Sequence, residues 1–138
     1  MLRGALIALA LLAAAPAAAA PFPDEGERWM LSVRAPGPAG HERFARVYAE
    51  PTHGSRWAVD VTCGVVDVRT GREHVDVRGD GFAARARSGY LGGTYVPKGG
   101  GETSGFSVDQ EGEALADLPV VFGPGGCPTG PGTLSTGD

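Results

Sequence analysis

The feature that most constrains the fold is a period-two alternation of apolar and polar residues in short runs. The clearest run covers residues 57–63, and residues 29–33 repeat the pattern. Because successive side chains of a strand point to opposite faces, this alternation predicts strands with one buried face. The predicted inward set comprises Trp29, Leu31, Val33, Trp57, Val59, Val61 and Cys63.

Glycine and proline separate these runs along the chain. The 138 residues include 23 Gly and 11 Pro, and further candidate strands lie at 82–86, 90–96, 105–108 and 118–122. About seven or eight short strands with such spacing are typical of a sandwich or a small barrel. The sequence therefore predicts one all-β domain over residues 21–127, either an antiparallel β-sandwich or a small barrel.

The segment His41–Glu50 has two interpretations. Phe44, Val47 and Tyr48 follow the i, i+3, i+4 spacing of a helix, whereas Phe44, Arg46 and Tyr48 would share one side of a strand. We expect a strand because the neighbouring segments are predicted strands.

The tetrapeptide Val-Asp-Val-Arg occurs twice, and the copies are separated by a Gly-containing turn. A hairpin between them would place Val68 opposite Val75 and Val66 opposite Val77, with all four valines on one face. Gly64 precedes the first copy at a change of inward parity, which predicts a β-bulge. A second hairpin turn is expected at residues 80–81, because Asp-Gly is a strong turn signal.

The N-terminal residues 1–20 have the pattern of a signal peptide. Arg3 precedes an uncharged apolar run, and small residues follow it up to an expected cleavage site between Ala20 and Pro21. A membrane anchor is the alternative, but spanning a bilayer requires about 20 apolar residues. We therefore expect a secreted, extracellular protein with no membrane span after cleavage.

Cys63 and Cys127 are the only two cysteines of the chain. In an exported protein such a pair predicts a disulfide bond, whereas a metal pair or two free thiols are the alternatives. The bridge would attach the Gly/Pro-rich C-terminal end to the core. Beyond it, residues 128–138 are predicted to be disordered.

Charge and motif content restrict the function. The chain has 16 Asp and Glu against 12 Lys and Arg, which argues against nucleic acid as a partner. No catalytic motif with the required spacing occurs, and the three histidines stand singly, so no metal site and no cofactor are predicted.

The remaining candidates favour a small non-enzymatic binding or inhibitory module that acts through surface loops. Tyr90, Tyr95 and Lys98 beside flexible glycines form a possible binding rim for an extracellular protein or a polysaccharide. The tyrosines would instead close the end of the barrel if they were buried.

Two other functions stay open: a small extracellular hydrolase whose carboxylates converge in space, and a structural protein of the cell envelope. Candidate carboxylates for the hydrolase are Asp60, Asp67 and Asp76, which are predicted to lie on exposed strand faces.

Overall fold

The computed structural model describes residues 23–85, 91–108, 118–124 and 127–137. Eight antiparallel strands form a closed barrel in which each strand pairs with its neighbours in sequence, and the last strand pairs with the first. The all-β prediction is confirmed, in its barrel form. The strands are β1 (Trp29–Pro36), β2 (His41–Pro51), β3 (Arg56–Asp67), β4 (Glu73–Arg85), β5 (Leu91–Pro97), β6 (Ser104–Val108), β7 (Leu118–Phe122) and β8 (Gly130–Thr136).

Two predictions fall on parts of the chain outside these ranges. The signal peptide at 1–20 and Tyr90 both lie there. Within the ranges, no helix is long and apolar enough to cross a bilayer.

The barrel interior is filled with the side chains that alternation placed inward. The whole predicted set on β1 and β3 is buried in one hydrophobic core. Trp29 and Trp57 meet there edge to face, with 6.0 Å between ring centroids, and the Trp57 indole N–H donates to the Glu27 carbonyl at 2.7 Å. An eight-stranded barrel is narrow enough for side chains to fill it, and the buried core of the described strands occupies this interior.

The predicted bridge between Cys63 and Cys127 is confirmed. It joins β3 to the segment between β7 and β8, with 5.7 Å between the two Cα atoms. Both cysteines belong to the hydrophobic core. The covalent link therefore spans the interior and holds the C-terminal segment against the opposite wall.

The segment His41–Glu50 lies in β2, as expected, with Ala45, Val47 and Ala49 facing the core. Phe44 is also buried, yet it is not part of that core cluster. The guanidinium of Arg46 covers its ring at 5.2 Å from the centroid. A small second cluster therefore lies on the outer face of the barrel.

The hairpin of β3 and β4 exists, but its predicted register is wrong. Val66 pairs with Glu73 rather than Val77, and Val77 pairs with Cys63. The Asp67 carboxylate ends the strand early, because it accepts hydrogen bonds from the backbone N–H groups of Arg69 and Thr70 at 2.8 and 3.1 Å. Val68 consequently lies in the turn and is 59% exposed.

The bulge predicted at Gly64 is present in the pairing of β3 with β4, between Cys63 and Gly64. The pairing changes from Cys63 with Val77 to Gly64 with Val75, so the extra residue, Asp76, belongs to β4. The parity change lies on β3, but the unpaired residue lies on its partner strand.

The second turn predicted at Asp80–Gly81 does not occur, and β4 continues through both residues. Its glycines serve close packing rather than a turn. A Cβ atom at Gly79 would lie 2.9 Å from the Tyr95 ring, and one at Gly81 would overlap the Thr94 carbonyl oxygen. Glycine inside a strand thus marks a close approach of the neighbouring strand.

The disorder predicted for residues 128–138 is also contradicted, because β8 occupies most of this segment. It pairs with β1 on one side and β7 on the other, and Leu134 enters the core opposite Leu31. The disorder prediction was wrong because it rested on composition, and β8 has few apolar residues. Its backbone hydrogen bonds complete the barrel and remove the sheet edges.

Candidate binding groove

The binding rim predicted at the loops does not form around Tyr95. Its side chain is 1% exposed and points into the core, where the phenol O–H donates to Cys127 Sγ at 3.6 Å. The prediction was wrong for this residue because β5 alternation places Tyr95 inward, beside Gly79 and Gly81. It is a core residue that closes the barrel interior.

Lys98 is exposed in the turn after β5, where its backbone N–H donates to the Arg78 carbonyl at 2.7 Å. Gly99, Gly100 and Gly101 follow with φ of 92°, 100° and 125°, in the region that favours glycine. Asp76 and Glu102 lie near this turn. Lys98 therefore lies in a mixed-charge environment, apart from the groove described next.

A groove runs across the outer face of strands β2 to β5, with a volume of about 920 Å³. Two cross-strand rows form it, and the strand register aligns their members. One row is Tyr48, Asp60, Asp80 and Val96; the other is Glu50, Ala58, Phe82 and Thr94.

The walls of the groove are large apolar side chains that face solvent. Tyr48 is 54% exposed, Phe82 is 50% exposed and Val96 is 49% exposed. Ala58 lies between the longer side chains of Glu50 and Phe82 in its row, so its small methyl group leaves the floor open there. Phe82 and Val96 are diagonal neighbours on β4 and β5, and Tyr48 lies at the far end of the row beyond the two aspartates. Single exposed apolar residues are common on protein surfaces, whereas grouped ones mark interaction sites.

The floor carries a pair of acids. Asp60 and Asp80 are direct cross-strand partners, which places their Cβ atoms about 5 Å apart. Both are exposed, and neither forms an ion pair within the described part of the chain. Glu50 adds a third carboxylate at the rim, where its Oε1 lies 3.9 Å from Nε of Arg28.

The residues lining the groove include no Lys, Arg or His among those the structure describes. Two cations of the described chain contact its edge: Arg28 lies beside Glu50, and the Arg56 guanidinium lies over the Phe82 ring at 4.6 Å from its centroid. This cation–π contact holds the Phe82 side chain against the sheet. The groove is therefore acidic and has at least one aromatic wall of restricted orientation.

The histidines and the other candidate carboxylates, Asp67 and Asp76, do not come together in one site. Over residues 23–85, which contain all three histidines, His41 contacts the Ala39 carbonyl and His74 lies 3.4 Å from Asp76 on an exposed edge. Asp67 is engaged in the hairpin turn, and its two backbone hydrogen bonds hold the pKa of that carboxyl below its usual value. No group of three or more possible metal ligands occurs in the described ranges.

The sequence pattern predicts an exposed face for Asp60 but does not predict the groove. It places Tyr48 and Asp60 on separate strands, Asp80 in a turn and Phe82 in the strand after that turn. Only the register of β2 to β5 brings these residues side by side. The chain matches no protein-family model, and it matches neither a curated protein nor a solved structure.

Proposed function

We propose that the chain is an extracellular, non-enzymatic binding module whose ligand occupies the groove on strands β2 to β5. The observation that carries this proposal is the exposure of Tyr48, Phe82 and Val96 around one pair of carboxylates. The signal-peptide pattern of residues 1–20 supports the extracellular location, and the disulfide bond is compatible with it.

Two physical properties favour binding at this surface. Aromatic side chains contribute disproportionately to binding energy, because they bury a large area at a small cost in conformational entropy. The groove residues also lie on paired strands, which hold their positions more exactly than loops do. A ligand would therefore meet a surface that is already organised.

The test is a titration of the isotopically labelled protein followed by its backbone amide resonances. The probes are a xylo-oligosaccharide, a β-glucan oligosaccharide, a basic peptide and an acidic peptide. We expect at least one probe to shift amides of β2 to β5, and the double variant Tyr48→Ala/Phe82→Ala to lose that response. The matched control is Val68→Ala/Val121→Ala, which removes two exposed apolar side chains outside the groove.

Two results would contradict the proposal. One is the absence of amide shifts with all four probes. The other is a set of shifts that concentrates outside β2 to β5 and survives in the Tyr48→Ala/Phe82→Ala variant. Thermal unfolding of every variant shows whether a lost response reflects a lost fold.

A hydrolase is the second candidate, and the facing pair of Asp60 and Asp80 is the observation that favours it. Retaining glycosidases hold two carboxyl groups about 5 Å apart, one of them as a proton donor. Such a donor usually depends on burial, whereas both aspartates here are exposed. Release of reducing ends from the two oligosaccharides, abolished by Asp60→Asn or Asp80→Asn, would favour the hydrolase over the binding module.

A further inference from the structure

We infer that the groove takes a basic, extended segment of another polypeptide and seats an arginine or lysine side chain against Asp60 and Asp80. This inference rests on the proposed function and names the class of its partner.

The charge of the groove calls for a cationic ligand. Three carboxylates line it, and no basic residue of the described chain does. Two like charges placed directly opposite each other on neighbouring strands repel. A cation seated between Asp60 and Asp80 would remove this repulsion and form charge-assisted hydrogen bonds to both carboxylates, whereas a neutral sugar would leave it in place.

A bare metal ion fits the site poorly. Calcium takes six to eight oxygen ligands, and magnesium requires octahedral geometry. The three groove carboxylates do not form a group that could hold one metal ion, and no such group occurs elsewhere among the described residues. A cation carried on an organic side chain needs fewer ligands, and its alkyl part can use the exposed apolar walls.

The apolar walls suit a guanidinium or an alkyl ammonium group. Arginine stacks on aromatic faces, and lysine interacts with them through its charge. This fold places a guanidinium over a phenylalanine ring twice on its outer surface: Arg46 over Phe44 and Arg56 over Phe82. Tyr48 lies in the same cross-strand row as the two aspartates, so an inserted cation would meet both an aromatic ring and carboxylates.

The length of the groove suits an extended chain. It crosses four strands, and the three spacings of about 4.8 Å between them add to about 14 Å. An extended peptide advances about 3.4 Å per residue, so roughly four steps, which link five residues, would span the groove. The first, third and fifth side chains would face the groove, with the basic residue at the centre. Alternating side chains would then contact Val96 and the aromatic walls on either side of the basic residue.

The experiment measures binding of a capped pentapeptide by isothermal titration calorimetry. It carries leucine at positions 1 and 5, serine at positions 2 and 4 and arginine at position 3, so that both leucines and the arginine share one face of the extended chain. Two matched peptides replace arginine by citrulline, which keeps the shape and removes the charge, or by glutamate. We expect only the arginine peptide to bind, with an affinity that falls as salt is added. Asp60→Asn and Asp80→Asn should each weaken it roughly fivefold.

The control variant is Glu102→Gln, which removes one negative charge from an exposed turn outside the groove and should leave the affinity unchanged. Equal affinity for the citrulline peptide would overturn the inference, as would equal binding of spermidine, which is a free polyamine. If the peptides fail while an oligosaccharide still shifts the amides of β2 to β5, the inference is wrong and the proposed function stands. If no probe binds, both fail.

Discussion

Gly81 illustrates how a single missing Cβ atom determines the path of a strand. Asp-Gly is a frequent turn dipeptide, but here Gly81 lies in the middle of β4 and allows the Thr94 carbonyl of β5 to approach its Cα atom closely. Gly79 plays the same part beside the Tyr95 ring. These glycines allow β4 and β5 to align, which in turn aligns the two rows of the groove.

We therefore expect Gly81→Ala to lower the free energy of unfolding by about 2 kcal/mol or more, because the new methyl group overlaps backbone atoms that cannot move aside. Gly92→Ala is the matched control on β5. Its Cβ atom would lie 3.6 Å from the nearest atom, the Phe106 carbonyl oxygen, which is an ordinary contact. Urea unfolding compares the two variants, and equal midpoints would show that Gly81 is replaceable.

At the scale of elements, the outer surface of β2, β3 and β4 is joined by one ion pair. The Arg46 guanidinium donates to both Glu73 carboxylate oxygens at 3.0 and 2.9 Å, while it covers the Phe44 ring. This bidentate contact lowers the pKa of the Glu73 carboxyl below its ordinary value of 4.5. It bridges β2 and β4 across β3, next to the bulge.

Glu73→Gln should accordingly lower stability near neutral pH, by no more than about 1 kcal/mol for so accessible a pair. A carboxyl with a depressed pKa in the folded state stabilises the fold above its unfolded pKa. That contribution is lost as the pH falls through the folded pKa. The difference between the variant and the natural protein should therefore shrink below about pH 4 in urea unfolding. A constant difference across this range would contradict the role of the charge.

The β3–β4 hairpin also shows what the sequence could and could not predict. Alternation identified the inward residues of β3 correctly, because burial of one sheet face is a local property of the strand. Pairing depends on where the turn begins, and the Asp67 side chain moved that point by accepting two backbone hydrogen bonds. The groove depends on the pairing of four strands, so Asp60 could be assigned to an exposed face while its partner Asp80 could not.

The whole molecule depends on closure by β8, a strand with little apolar side-chain area. Pairing of β8 with both β1 and β7 leaves the sheet without free edges. Closure also fixes the curvature of the wall that carries the groove. The C-terminal segment is therefore an integral part of the barrel, although its composition resembles that of a disordered tail.

Leu134→Ala tests this role of β8. The side chain is 3% exposed in the core, so its truncation should cost about 2–5 kcal/mol of unfolding free energy. Thr133→Ala, at the exposed neighbouring position, should change stability by less than about 0.5 kcal/mol. Thermal unfolding of both variants provides the measurement. A disordered segment would give the same melting temperature for the two.

The bridge from Cys63 to Cys127 also makes part of the chain a covalent ring. The ring contains β4, β5, β6 and β7 together with the end of β3, while β1, β2 and β8 lie outside it. A protease that cuts once between residues 63 and 127 would therefore release no fragment, because both sides of the cut stay attached through the sulfur atoms. The groove residues of β4 and β5 lie within the ring, and those of β2 and β3 precede Cys63 on the same chain, so a nicked molecule would keep all the groove residues linked.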